Sequence, residues 1–290
     1  MKKIKTILTT VLAFLSICRF SLLAWTGWGS GTMLSLSKAH NFMQSPVWVK
    51  EFPAAMASNN AAFSSIAATS DVKSGVSFQM GAFSCTRYIK ENTASTAAIS
   101  LGYKKSAFGL HYSYSGFSLY NEQQAGFSYG QNFGKHWNFG FGASYVSDSK
   151  IEGLKGDKLL NISVSAICKV SSSWKIYSLA EIPVTLFSQQ KKILLQRYYF
   201  KVGVGYNVLE NLSVGIDITK DLRYKLQGAA GISYLLAEHF LIYASTEIYP
   251  FVHTIGVGYL SKRWNIEWYG SYQTPLGFTS SVGVGWKFCK

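Results

Sequence analysis

The chain has 290 residues, 48% hydrophobic and 16% aromatic but only 14% charged, against roughly 25% charged in an ordinary soluble domain. So little charge excludes an exterior held in water all round and points to an apolar solvent outside the fold. A formal charge of +14 invites nucleic acid, but the basic residues scatter over turns and build no stripe with stacking aromatics; anionic lipid head groups account for them instead.

Taken in chain order, Lys2, Lys3 and Lys5 form a basic n-region and Ile7 to Leu15 a short apolar h-region, an export signal with cleavage expected after Ala24. Residues 25–70 are rich in Ser, Ala and Asn and show no clear alternation. They are expected to form a plug or a periplasmic extension, with a flexible tail as the plain alternative. No later segment supplies the roughly 20 uninterrupted apolar residues of a spanning helix. A chain like this in a bilayer must therefore close its backbone hydrogen bonds in a barrel.

From about 72 to 288 the sequence is a succession of period-2 segments of roughly nine to twelve residues, the length of a tilted membrane strand. In 137–145, Trp137, Phe139, Phe141, Ala143 and Tyr145 alternate with Asn138, Gly140, Gly142 and Ser144. In 212–218, Leu212, Val214, Ile216 and Ile218 alternate with Ser213, Gly215 and Asp217. Strands are expected near 74–84, 96–103, 106–114, 123–132, 136–146, 157–168 and 172–181. Seven more follow near 197–206, 211–219, 224–234, 238–247, 250–260, 263–273 and 277–288. Connections after the even strands are tight, as at Lys104-Lys105 and Gly134-Lys135. Those after the first, third, fifth and seventh are longer, as in Ser147–Gly156 and Ile182–Gln196, which is the asymmetry of an outer-membrane barrel.

One row of each segment is large and apolar; the other is mostly Gly, Ser, Thr and Ala. A soluble barrel would carry Lys and Glu on its water-facing row, so the greasy row is assigned to lipid and the small row to a lumen. Aromatics at strand ends, Tyr103, Trp137, Trp174, Tyr199, Tyr206, Tyr259, Trp264, Tyr272 and Trp286, suit an interfacial belt. The lumen row carries Lys175, Lys201, Lys225, Asp217, Glu247 and Glu267, a charge set that could line a solute path. A hairpin centred near Asp221 would place Asp217 opposite Lys225 as a cross-strand ion pair.

Four cysteines give neither a framework nor a metal site: Cys18 leaves with the signal, and Cys85, Cys168 and Cys289 are widely spaced. No phosphate loop, zinc motif or paired-carboxylate site is present, so no cofactor or metal is expected. His111-Tyr112-Ser113 is similar to the His-x-Ser pair of outer-membrane phospholipases and lipid A deacylases, which keeps a lipase as an alternative. Yet Phe108, Leu110, Tyr112 and Tyr114 take the lipid row and turn the pair inward, so the chain is read as a non-enzyme. His40, His136, His239 and His253 share no spacing.

The last segment, Ser281 to Phe288, resembles the terminal signature of outer-membrane barrels: a polar residue, Gly283 two positions on, then Trp286 and Phe288. This edge strand is the expected signal for the barrel assembly machinery, although Cys289 and Lys290 follow it. The whole resembles the Bacteroidota outer-membrane barrels of the FadL-like PorV/PorQ type. The stretch Ala57 to Ala68 is similar to the Asn-Pro-Ala region before their first strand, here without the Pro. The expected organisation is a signal peptide at 1–24, a plug or periplasmic segment at 25–70, and an all-β transmembrane antiparallel barrel of about 14 strands at 71–290, in the outer membrane among its lipids and lipopolysaccharide. The resemblance implies passive uptake of a hydrophobic or small solute, or a type IX secretion or surface-attachment accessory that binds protein partners. A barrel with no cargo is the third possibility.

Overall fold

The computed structural model describes residues 74–82, 93–103, 106–117, 120–134, 136–149, 158–187, 198–221, 225–237, 239–249, 251–261, 264–273 and 277–288. The expected signal peptide and the segment 25–70 lie outside them. The first seven strands are β1 (Ser74–Ala82), β2 (Thr93–Tyr103), β3 (Ser106–Phe117), β4 (Tyr120–Phe133), β5 (Trp137–Ser149), β6 (Lys158–Lys169) and β7 (Trp174–Phe187). They are followed by β8 (Tyr199–Leu209), β9 (Leu212–Asp221), β10 (Gln227–Leu236), β11 (Phe240–Ile248), β12 (Val252–Leu260), β13 (Trp264–Gln273) and β14 (Gly277–Phe288). Each strand pairs antiparallel with the next, and β14 pairs with β1, so these fourteen strands close into one barrel. Closure removes the unpaired sheet edges that hydrocarbon cannot hydrogen-bond.

The alternation written in the sequence is carried into the wall. Along β12, Val252, Thr254, Gly256 and Gly258 are buried, while His253, Ile255, Val257 and Tyr259 are exposed. Large apolar side chains take the outside: Leu110 on β3 is 60% exposed and Ile216 on β9 is 64% exposed. A soluble barrel has the opposite polarity; an outer-membrane barrel has this one. No helix among the described residues is long and apolar enough to cross a membrane, so the crossing is made by strands.

The connections at one end are brief: 104–105, 134–136, 170–173, 210–211, 237–239 and 261–263. Short turns mark the periplasmic end of such barrels. Gly134 takes φ of 70° there, a left-handed turn position that costs glycine little. Two turn histidines extend the ladder: His136 Nδ1 donates to the Lys169 carbonyl at 2.9 Å and His239 Nδ1 to the Leu260 carbonyl at 3.1 Å. Each histidine carbonyl accepts the same residue's N–H at 2.7 Å in return. Near this end, outward aromatics meet across strands, Trp174 with Tyr206 at 4.5 Å, Phe108 with Tyr129 at 5.1 Å and Phe240 with Tyr259 at 5.3 Å. They form a girdle at the headgroup level.

Three expectations are corrected. The connection after the third strand is not a long loop: β3 runs to Phe117 and β4 begins at Tyr120, with Ser115 opposite Glu122 and Gly116 opposite Asn121. That end of the hairpin has lost its greasy row, so it lacked a period-2 signal. β7 does not stop at 181 but runs to Phe187, through Pro183. Its register with β8 ends at Glu181–Tyr199, so among the described residues Pro183 has no β8 partner, and there the missing N–H is tolerated. Finally, Asp217 does not face Lys225. β9 extends through Lys220 and Asp221, which pair with Phe200 and Tyr199 of β8, and this pushes the turn along the chain. Asp217 faces Ala229, and Lys225 is exposed ahead of β10.

Candidate functional site

The interior is built from the small-and-polar row, and its hydroxyls and amides satisfy one another across strands. Thr254 Oγ1 lies 2.9 Å from Ser271 Oγ, and Gln124 Nε2 donates to Ser144 Oγ at 2.8 Å. Against this background stands an apolar cluster. Ile167 of β6, Tyr177 and Leu179 of β7, and Leu241 and Tyr243 of β11 pack together, with Leu235 and Leu260 against them. β7 and β11 are four strands apart in the sheet, so the cluster bridges the lumen instead of running along neighbours. Most of these positions lie close to the short-turn ends of their strands, which sets the cluster in the periplasmic half of the barrel.

Both tyrosines lie on glycine. Tyr177 faces Gly203 of β8 and Tyr243 faces Gly256 of β12 in register. A Cβ built on either glycine would overlap the facing ring. Glycine is thus required here for close approach, the aromatic covering the backbone that a side chain would otherwise shield. Gly203→Ala is expected to cost about 1–3 kcal/mol through overpacking, read as a lower urea midpoint, because the Tyr177 ring must leave its place.

The Tyr177 hydroxyl donates to Asp217 Oδ2 at 3.0 Å, and Lys201 Nζ lies 2.9 Å from the same oxygen. Lys201 and Asp217 are 5% and 2% exposed by side chain. A charged pair this deep needs both its partner and its hydrogen bonds. The site therefore joins an apolar patch to a buried ion pair through one phenol.

Of the sequence-derived lumen residues, the structure brings Lys201 and Asp217 together. Lys175 is half-buried on the inward row of β7, opposite Lys169 and Gly205. Glu247 is half-buried on β11 opposite Ala229, and Glu267 is buried on β13 opposite Gly258 and Gly283. Lys225 is exposed and stands outside the strands. Gly283, Trp286 and Phe288 fall in β14, where Trp286 is in register with Trp264 and Val76, and Phe288 with Ser74. His111 and Ser113 are both buried on the inward row, behind exposed Leu110 and Tyr112. A lipid approaching from the bilayer meets the other face of that strand, which removes the ground for a lipase. Tyr177, Tyr243 and their glycines were missed from sequence. The signal available was an inward-row tyrosine, but its glycine partner is fixed only by the register of neighbouring strands.

The chain is similar in structure to the Pseudomonas putida toluene transporter TodX, with a TM-score of 0.58, 9% identity, and coverage of 92% of this chain and 98% of that one. It is also similar to the Acinetobacter baumannii outer membrane protein Omp33, with a TM-score of 0.51, 9% identity and coverage of 74% and 98%. A KdgM porin matches at a TM-score of 0.45 and 10% identity over 74% of this chain and 99% of that one. No family model and no curated protein matches the sequence. Closed antiparallel topology and an apolar exterior define the class, an outer-membrane type of β-barrel, and TodX and Omp33 share that fold.

Proposed function

We propose that the barrel passes small hydrophobic solutes through the outer membrane by diffusion. The observation that supports this is the apolar cluster of Ile167, Tyr177, Leu179, Leu241 and Tyr243 inside the lumen. A polar, water-filled pore gains nothing from such a patch, and a hydrophobic constriction excludes ions by dewetting. A hydrophobic solute finds there the contact that water withholds. The likeness to TodX, a toluene transporter, agrees with this direction but supplies no residue-level argument.

The test uses the full chain, expressed in a Gram-negative host with an intact lipopolysaccharide leaflet and no transporter of its own for aromatic hydrocarbons. Labelled toluene is expected to enter faster than in the empty-vector strain, while the purified protein in a planar bilayer conducts few ions. A large steady ohmic conductance without toluene uptake would replace the hydrocarbon path by an ordinary water-filled porin.

The apolar cluster across the lumen also suits a second reading, in which the barrel conducts nothing: an accessory of the PorV/PorQ type that holds secretion-system or surface proteins by its outer loops. In that case toluene uptake stays at background and the partners co-purify. Under either reading β14 is proposed to carry the recognition edge for the assembly machinery.

A further inference from the structure

We infer that the place filled by the Tyr177 ring is a recognition site for a small aromatic solute carrying a hydroxyl donor. The inference rests on the uptake reading above and narrows its substrate class.

The place has three built walls. Its floor is Gly203, where a Cβ would overlap the ring and would lie 2.7 Å from Asp217 Cβ. Its sides are the apolar members of the cluster, Ile167, Leu179, Leu241 and the ring of Tyr243. Its far end is Asp217 Oδ2, which takes the phenol hydroxyl at 3.0 Å while Lys201 Nζ holds the same oxygen at 2.9 Å. Flat floor, greasy sides and an acceptor at one end are the complement of a phenol, and the present occupant is one.

A solute that takes this place must displace the Tyr177 ring. Displacement strips a hydrogen bond from a carboxylate that is 2% exposed, a loss that a buried charged group tolerates poorly. An incoming phenol repairs that loss as it enters, because its own hydroxyl takes over the donation to Asp217 while its ring covers Gly203. Toluene fills floor and sides but leaves the carboxylate short of one donor. An aromatic acid of the same size sets a second carboxylate against the first and is repelled. The expected order is therefore p-cresol ahead of toluene, and toluene ahead of 4-methylbenzoate.

The experiment has two arms. In the first, Tyr177→Ala is made in the full chain, purified in detergent, and titrated calorimetrically with p-cresol and with toluene. The vacated place is expected to bind p-cresol about tenfold more tightly or better, the scale of one hydrogen bond to a charged group. Adding Lys201→Met and Asp217→Leu is expected to abolish that preference. In the second arm, wild-type protein in cells takes up labelled toluene in competition with unlabelled p-cresol or 4-methylbenzoate. p-Cresol is expected to compete at about tenfold lower concentration than the acid. Should Tyr177→Ala fail to fold, the wild-type competition decides alone. Equal binding of p-cresol and toluene, or equal competition by phenol and acid, would overturn the inference. Absence of any toluene uptake by the wild type sinks the uptake reading instead, and the binding arm still judges the site.

Discussion

Lys201→Ala is expected to destabilise the folded barrel by about 3–5 kcal/mol, the cost of leaving one member of a buried ion pair uncompensated. The residues in register with Asp217 across the sheet, Gly203 and Ala229, offer no cation to replace Lys201. The Tyr177 hydroxyl then remains as its donor, and one neutral hydrogen bond cannot offset a desolvated carboxylate. The pair itself is not expected to be a large net stabiliser, since desolvation consumes most of the attraction. Lys201→Met with Asp217→Leu should therefore cost much less than the two single alanine changes added together. Tyr177→Phe, which keeps the ring on Gly203 and removes only the donor, should cost about 1–2 kcal/mol. Lys225→Ala is the control: exposed and off the strand, it should stay within about 0.5 kcal/mol of wild type. Urea unfolding in micelles, followed by tryptophan fluorescence, separates these four outcomes. Equal, small losses at Lys201 and Lys225 would mean that water reaches the pair.

The error over Lys225 shows where sequence reading stops. Period 2 assigns every residue to a face, and β12, the 137–145 run and β9 beyond its buried first residue, Leu212, are on the faces their alternation gives. It does not set the register. Moving the partner of Asp217 from 225 to 229 is an even step, so every side chain keeps its face and the hydrophobic pattern cannot detect the slip. Only the turn fixes it, and the turn was hidden because Lys220 and Asp221 read as loop chemistry while pairing as strand. Pro183 misled in the same way, since a proline argues against a strand unless its N–H side is unpaired. The cluster across the lumen was further out of reach. Ile167, Tyr177 and Tyr243 sit on strands that are not all neighbours, and no local spacing connects them. What was legible is the architecture, down to the even count and the tight periplasmic turns. What was not is the one contact that turns an empty cylinder into a site.

Ile216→Arg tests the orientation on which the lumen itself depends, and is expected to cost about 2–4 kcal/mol. Ile216 lies near the middle of β9 and is 64% exposed, with Val204 and Ala230 opposite it on the two flanking strands. In a bilayer this outward patch meets hydrocarbon, and a guanidinium placed there must either dehydrate or drag water and head groups inward. The penalty falls with depth, so Tyr272→Arg, near the outer end of β13, should cost only about 0–1 kcal/mol. Both variants are unfolded with urea in phospholipid vesicles, and the folded form is scored by heat-modifiable mobility. The contrast between the two positions carries the argument more than either value. A water-facing exterior would tolerate arginine equally at both, and would be better soluble for it. A large cost at Ile216 with little at Tyr272 is the signature of an apolar slab of finite thickness around the strands. Given that slab, the opposite row has nowhere to face but inward, and the phenol on Gly203 is inside a membrane-spanning wall.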